Sequence, residues 1–308
     1  LHLSIRRQRQ MCIRDSLLTA DMGYSVFETF RDEFPDRFLN TGIAEQNTIG
    51  IAAGLAARGK IVFVYSIIPF VTMRCFEQIR LDLAYNKSNV KIVGVGAGFT
   101  YGSLGSSHHA LEDISLMRSL PNMTVLCPGD PIEARELIKQ SCEHTGPVYI
   151  RLGKNGEPKI HPEDKKIPLG KAIEISTGDD LILITTSTML ETGKRWVDEW
   201  KEEGISVSLV SMPTMKPFDT ESIKKFILSD IPIVSLEEHN IIGGLGSAIA
   251  EVIADTGIGV KFLRLGINDK FSHFVGSHDY QKQKSNLTEK PKLQWFNSCL
   301  LYTSDAAD

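Results

Sequence analysis

The chain has 308 residues, 42% of them hydrophobic, and a formal net charge of −4. That length accommodates about two domains with ample core. The mildly acidic balance excludes a general attraction to nucleic acid or anionic membranes, and no apolar run in the sequence reaches the length of a membrane span.

Residues 6–16 read as translated sequencing-adaptor sequence, and 299–308 as the reverse complement of the same DNA. Residues 1–16 and this C-terminal end are therefore set aside from fold reasoning, as a fusion scar would be. The two ends carry four Arg and three Asp, so the expected insert, about 17–298, stands near −5. They also carry Cys12 and Cys299. The other cysteines, Cys75, Cys127 and Cys142, show no C-x-x-C spacing. This fits a reducing, cytoplasmic setting and argues against a disulfide framework or a thiolate metal site.

Apolar runs alternate with amphipathic ones along the rest of the chain, the pattern of an α/β protein with parallel strands. Strands are predicted over 17–20, 61–65, 90–95, 124–127 and 148–151. Helices are predicted over 45–57, 71–85, 111–119 and 131–143, the last started by Asp130 and Pro131. The polar, proline-bearing stretch 153–168 reads as a linker. A second α/β unit follows, with strands over 181–185, 207–211, 231–237 and 261–265. Its helices are expected over 189–203, 220–228 and 246–254. The expected organisation is thus a first doubly wound unit over 17–152, a linker, a second unit over 169–280, and an irregular tail over 281–308.

The most informative stretch is Gly42, Ile43, Ala44, Glu45, Gln46 and Asn47. It sets one carboxylate, Glu45, after a glycine turn and at the start of a helix rich in small residues. An acid there sits among unsatisfied N–H groups at the positive end of the helix dipole. Small residues let another backbone or a flat ring approach closely. An ordinary helix-favouring Glu is the plainer reading, and the neighbouring motifs weigh against it.

Those motifs are Thr19-Ala20-Asp21-Met22-Gly23, residues 42–47, Phe70-Val71-Thr72-Met73-Arg74, Gly105-Ser106-Ser107-His108-His109, and Gly146-Pro147-Val148-Tyr149-Ile150-Arg151-Leu152. Together they make the chain resemble the C-terminal subunit of split transketolases, over 19–278. It is more distantly similar to 1-deoxy-D-xylulose-5-phosphate synthase and to the beta subunits of 2-oxo acid dehydrogenases. The resemblance implies a pyrimidine-binding domain followed by a transketolase C-terminal domain. It implies thiamine diphosphate as cofactor and transfer of two-carbon ketol units between sugar phosphates.

The resemblance also implies roles. Glu45 matches the glutamate that hydrogen-bonds the aminopyrimidine ring, general acid–base catalysis relayed through the cofactor. Phe70 matches the aromatic residue on which that ring stacks. Arg74 aligns with a site arginine of the synthase relatives, and Tyr65 is a weaker candidate for the same pocket. His108 matches a histidine that shuttles protons at the donor carbonyl, with His109 as a substrate-side neighbour. Arg151 matches an arginine that grips a substrate phosphate through its fork of donors. Ser25 is a candidate phosphate-contacting serine. No metal ligand is assigned to this chain.

Two departures touch the substrate. Leu104 stands where most transketolases have an aspartate that contacts donor hydroxyls, and Gly96 stands where they have another substrate histidine. A leucine cannot accept a hydrogen bond, so a hydroxyl aimed at it is left unpaired at a cost of about 1–3 kcal/mol. A 2-oxo acid donor, or a non-catalytic role, are the competing expectations. Gly-Asp-Gly followed by Asn, the family's magnesium–diphosphate motif, does not occur. Diphosphate and Mg²⁺ are therefore expected on a partner, the N-terminal transketolase subunit, in a heterotetramer. No complete G-x-G-x-x-G occurs, which disfavours a nicotinamide dehydrogenase. The segment around Gly243, Gly244 and Gly246 opens a helix and reads as structural packing of the second unit, with anion binding at its N-terminus as the alternative.

Overall fold

A computed structural model describes residues 15–154 and 156–292. Most of the adaptor-like N-terminus, Cys12, Cys299 and residues 293–308 lie outside the described residues.

The first unit runs β1 (Asp15–Thr19), α1 (Glu28–Glu33), β2 (Phe38–Asn40), α2 (Glu45–Ala57), β3 (Ile61–Ile67), α3 (Ile68–Thr72), β4 (Val90–Val95), α4 (Asp113–Ser119), β5 (Thr124–Leu126), α5 (Pro131–Glu143) and β6 (Val148–Leu152). The second runs β7 (Ile173–Ser176), β8 (Leu181–Thr185), α6 (Met189–Glu202), β9 (Val207–Ser211), β10 (Thr214–Lys216), α7 (Thr220–Leu228), β11 (Ile233–Asn240), α8 (Leu245–Thr256), β12 (Phe262–Ile267) and α9 (His278–Lys284).

The strand order is β10-β5-β6-β4-β3-β1-β2 in the first sheet and β12-β11-β8-β9-β7 in the second. All pairings are parallel except β10 with β5 and β7 with β9, both at sheet edges. Central strands such as β4 and β6 are buried along their whole length, as parallel strands covered on both faces require. Lys91 in β4 and Arg151 in β6 are buried charged residues in these strands, and for Lys91 the backbone supplies the partners. Its Nζ donates to His144 O at 2.8 Å and Gly146 O at 2.7 Å, and burial lowers its pKa to about 7.

The two units are joined in two ways. Strand β10, which follows the second unit's β9, pairs with β5 of the first sheet. One continuous apolar cluster contains Val125 and Cys127 together with Ile184, Val210 and Met212.

Several expectations are corrected. Asp15 and Ser16, set aside as adaptor sequence, belong to β1 and pair with Ile61 and Val62. Backbone pairing needs no particular side chain. The helix expected over 71–85 begins earlier, at Ile68 with Pro69 in its first turn, and is interrupted after Thr72. It resumes at Phe76–Gln78 and continues as a π-helix, Ile79–Tyr85. The tail expected to be irregular forms α9, capped by the Ser277 side chain accepting from Tyr280 N, with Gln281 buried. Beyond α9, Leu287 is buried in the second unit's core and Thr288 O accepts from Trp196 Nε1 at 3.3 Å. Strands β2, β7 and β10 were not expected. Each has three or four residues, too few to carry a readable period.

Candidate active site

Glu45 is the first residue of α2 and is 7% exposed. The turn before it is tied down by Asn40. Its Oδ1 accepts from Asp21 N and Gly42 N, both at 3.0 Å, and its Nδ2 donates to Asp21 Oδ1 at 3.1 Å. Gly42 takes φ +73°, a conformation that favours glycine. Gln46 Nε2 donates to Arg74 O at 2.8 Å, which fixes the start of α2 against the chain leaving α3.

Arg74 then bridges two expected cofactor residues. Its guanidinium lies 3.7 Å from Glu45 Oε2 and 4.0 Å from the Phe70 ring centroid. The Glu45 carboxylate accepts no hydrogen bond among the described residues. The other side of the group is His108, whose ring meets that of Phe70 edge-on, centroids 5.0 Å apart. His108 ends a 3₁₀ turn, Ser106–His108, that follows Gly105 at φ +78°. Ser107 Oγ lies 3.0 Å from its Nδ1. Partial burial, helped by the Arg74 charge, lowers the His108 pKa, which favours the neutral ring at pH 7. Glu45, Phe70, Arg74 and His108 are therefore brought together, although three separate segments supply them.

Tyr101 extends this group. Its ring is 6.3 Å from that of His108. A Cβ on Gly96, which has φ +95°, would lie 2.3 Å from the Tyr101 ring. Tyr101 therefore fills the space that any side chain at position 96 would need. Beyond it opens a cavity of about 680 Å³ whose lining includes Ser25, Tyr65, Tyr101, Lys154, Glu157 and Thr188. Ser25 (φ +60°) donates its backbone N–H to Glu28 Oε1 at 2.6 Å. Sequence reading missed Tyr101 and Lys154. The only local signal was that each lies within a few residues of a motif, Tyr101 before Gly105 and Lys154 after Arg151.

Arg151, the expected phosphate ligand, lies in a closed environment. It is fully buried and every guanidinium nitrogen already has a partner. Nε donates to Asp113 Oδ2 at 2.9 Å and Nη1 to Ser187 Oγ at 3.0 Å. Nη2 donates to Ala110 O at 2.9 Å and Glu238 O at 3.0 Å. It locks the units together: four of its five N–H donors are spent inside the protein, and the side chain is closed from solvent. His109 is also closed from solvent. Its ring packs edge-on against Phe99 at 4.9 Å, and burial lowers its pKa.

The α8 N-terminus is filled by the chain itself. Glu237 accepts from Leu245 N at 2.7 Å and Gly246 N at 2.8 Å, so no external anion is needed there. Asp130, Glu133 and His161 form a buried cluster of potential metal ligands. Their atoms are occupied. Asp130 accepts from the backbone N–H of Glu133, Ile160 and His161. Glu133 accepts from Gly129 N, and its other oxygen lies 2.8 Å from His161 Nε2. The cluster is a cap that holds residues 160–161 against α5.

A buried helix-start carboxylate, an aromatic ring and a neutral histidine on one parallel-sheet unit, backed by a second α/β unit, define a subunit of the thiamine diphosphate-dependent class. The chain belongs to the transketolase family. The family description "Transketolase, pyrimidine binding domain" matches residues 13–158 and "Transketolase, C-terminal domain" matches 170–282. The chain is 45% identical over 258 residues to a protein of Methanocaldococcus jannaschii described as a transketolase C-terminal section, covering 83% of this chain and 81% of that protein. It is 40% identical over 258 residues to an apulose-4-phosphate transketolase subunit of Actinobacillus succinogenes, with the same 83% and 81% coverage. Among solved structures, a split-gene transketolase described as an inactive β4 tetramer superposes with a TM-score of 0.84. It is 36% identical, with 93% of this chain and 92% of that one covered. 1-Deoxy-D-xylulose-5-phosphate synthases are more distant relatives.

Proposed function

We propose that the chain is the C-terminal half of a split transketolase that moves a two-carbon ketol unit between sugar phosphates, jointly with an N-terminal subunit. The observation that carries this is the Glu45 carboxylate, nearly buried at the head of α2, accepting no hydrogen bond among the described residues and linked through Arg74 to the Phe70 ring. A buried carboxylate without hydrogen bonds is costly unless a donor arrives, and an aminopyrimidine nitrogen would be such a donor. The residues thus fit the pyrimidine end of thiamine diphosphate. For its diphosphate and Mg²⁺ the sequence offers no family motif, so these are assigned to the partner, in a heterotetramer.

When bound, the cofactor supplies the electron sink for breaking a carbon–carbon bond next to a ketone. Glu45 holds a proton at the ring nitrogen. Phe70 presents its face for stacking, and Arg74, 52% exposed on its side chain, swings aside to clear that face. His108, kept neutral, accepts or returns a proton at the donor's oxygens. Buried thiols at Cys75 and Cys127 suit a reducing cytoplasm.

The test is reconstitution. This chain alone should show no ketol transfer. Mixed with its N-terminal subunit, thiamine diphosphate and Mg²⁺, it should gain it, and Glu45→Ala should lower turnover at least about 100-fold without loss of fold. Undiminished turnover by the mutant sinks the assignment. A second reading, a 2-oxo acid donor, is favoured by Leu104 and by the Tyr101 ring standing in the side-chain space of Gly96. Consumption of pyruvate with no activity on xylulose 5-phosphate would select it.

A further inference from the structure

We propose that Lys154 seats the terminal phosphate of the substrate in the cavity bordered by Tyr101, in the role the family pattern assigns to Arg151; this rests on the transketolase reading above. Four observations converge on it.

The expected phosphate ligand is spent. All four hydrogen bonds of the Arg151 guanidinium stay inside the protein, and the side chain is inaccessible. A sugar phosphate still carries about two negative charges, and seating them in a cleft requires a cation or several N–H donors.

A suitable space adjoins the chemistry. The cavity of about 680 Å³ begins at Tyr101, whose ring is 6.3 Å from that of His108. It is lined further in by Ser25 and Tyr65. A substrate with its carbonyl at His108 can therefore send its far end past Tyr101 into this space.

Lys154 stands in that wall. It follows Arg151 by three residues, at the point where the chain leaves β6, and its Nζ lies 5.3 Å from the Tyr101 ring centroid. A cation over an aromatic face is positioned without being neutralised. No carboxylate pairs with it among the described residues. Of the two acids in the cavity lining, Asp130 accepts three backbone N–H groups, and Glu157 Oε1 lies against Gly153, where an added Cβ would be 1.8 Å away.

Gly96 and Tyr101 act as one unit in this arrangement. The glycine leaves room for the ring, and the ring sets the lysine. The loss of a substrate histidine at position 96 is thereby matched by a gain of a positioned cation three residues beyond the buried arginine.

The first measurement is binding of inorganic phosphate to the full chain by titration calorimetry, at constant ionic strength held with chloride. Lys154→Gln should weaken phosphate at least tenfold, and Lys154→Arg should restore it to within about threefold. Tyr101→Leu should weaken it as well, because the lysine loses its platform. The second measurement uses the reconstituted complex. Lys154→Gln should raise KM for a phosphorylated donor, xylulose 5-phosphate, at least tenfold with little change in kcat. It should leave unphosphorylated hydroxypyruvate unaffected. Unchanged phosphate affinity in Lys154→Gln overturns the proposal, as does an equal rise in KM for both donors. If the wild-type complex transfers no ketol unit from either donor, the transketolase reading fails instead, and the phosphate titration alone decides Lys154.

Discussion

Glu237 shows how a single buried acid shapes the behaviour of the protein. Its carboxylate sits at the head of α8, accepting two backbone N–H groups, yet burial outweighs them and raises its pKa from 4.5 to about 7. The folded chain therefore keeps a proton that the unfolded chain releases between those values. This group contributes stability that is fully present below about pH 4.5 and is lost as pH rises to about 7. Urea unfolding of the wild type should show that decline relative to Glu237→Gln, whose amide does not titrate. Parallel pH profiles for the two proteins would contradict it. His108 and Arg151 teach the complementary lesson about legibility. Both were visible as motif residues, but exposure is not written in a motif. His108 stays half-exposed at the end of its 3₁₀ turn. Arg151 is swallowed because Asp113, Ser187 and Glu238 close around it.

Among the elements, α2 is one whose span the sequence foretold. Its limits, Glu45–Ala57, match the expected helix, and its small residues remain open: a Cβ added at Gly50 or Gly54 meets nothing within 4 Å. Gly54→Ala should therefore stabilise the isolated chain by roughly 0.5–1 kcal/mol through helix propensity, read from a urea midpoint. A fall in stability would instead mark a face covered by a second chain. Other elements were less legible. The break after α3 depends on Pro69 fixing an early start and on Thr72 bonding back to Ile68 O at 2.6 Å. The apolar spacing of 71–85 carries no trace of that choice. The short edge strands form because a neighbour offers its backbone, not because their own residues alternate.

At the scale of the whole molecule, the two units behave as one body because polar and apolar links cross between them. Arg151 joins Asp113 and Ala110 on one side to Ser187 and Glu238 on the other. Glu238, itself buried, also accepts from Phe99 N and Thr188 Oγ1 and lies 2.7 Å from His278 Nε2. Arg151→Met strands the buried Asp113 carboxylate, so stability should fall by about 3–5 kcal/mol. The separation of the two units should appear as a broadened or split unfolding transition by calorimetry. A small loss confined to substrate KM would restore the phosphate role for Arg151. By itself the sequence determined the α/β class, the order of the major elements and the family. The class and the order follow from local periodicity, which a linear chain carries openly, and the family follows from the resemblance its motifs bear. Only the tertiary structure decided which arginine is buried, what fills the space at Gly96 and how the units are stitched. Each of these depends on which side chains from distant segments compete for the same volume and the same hydrogen-bond donors.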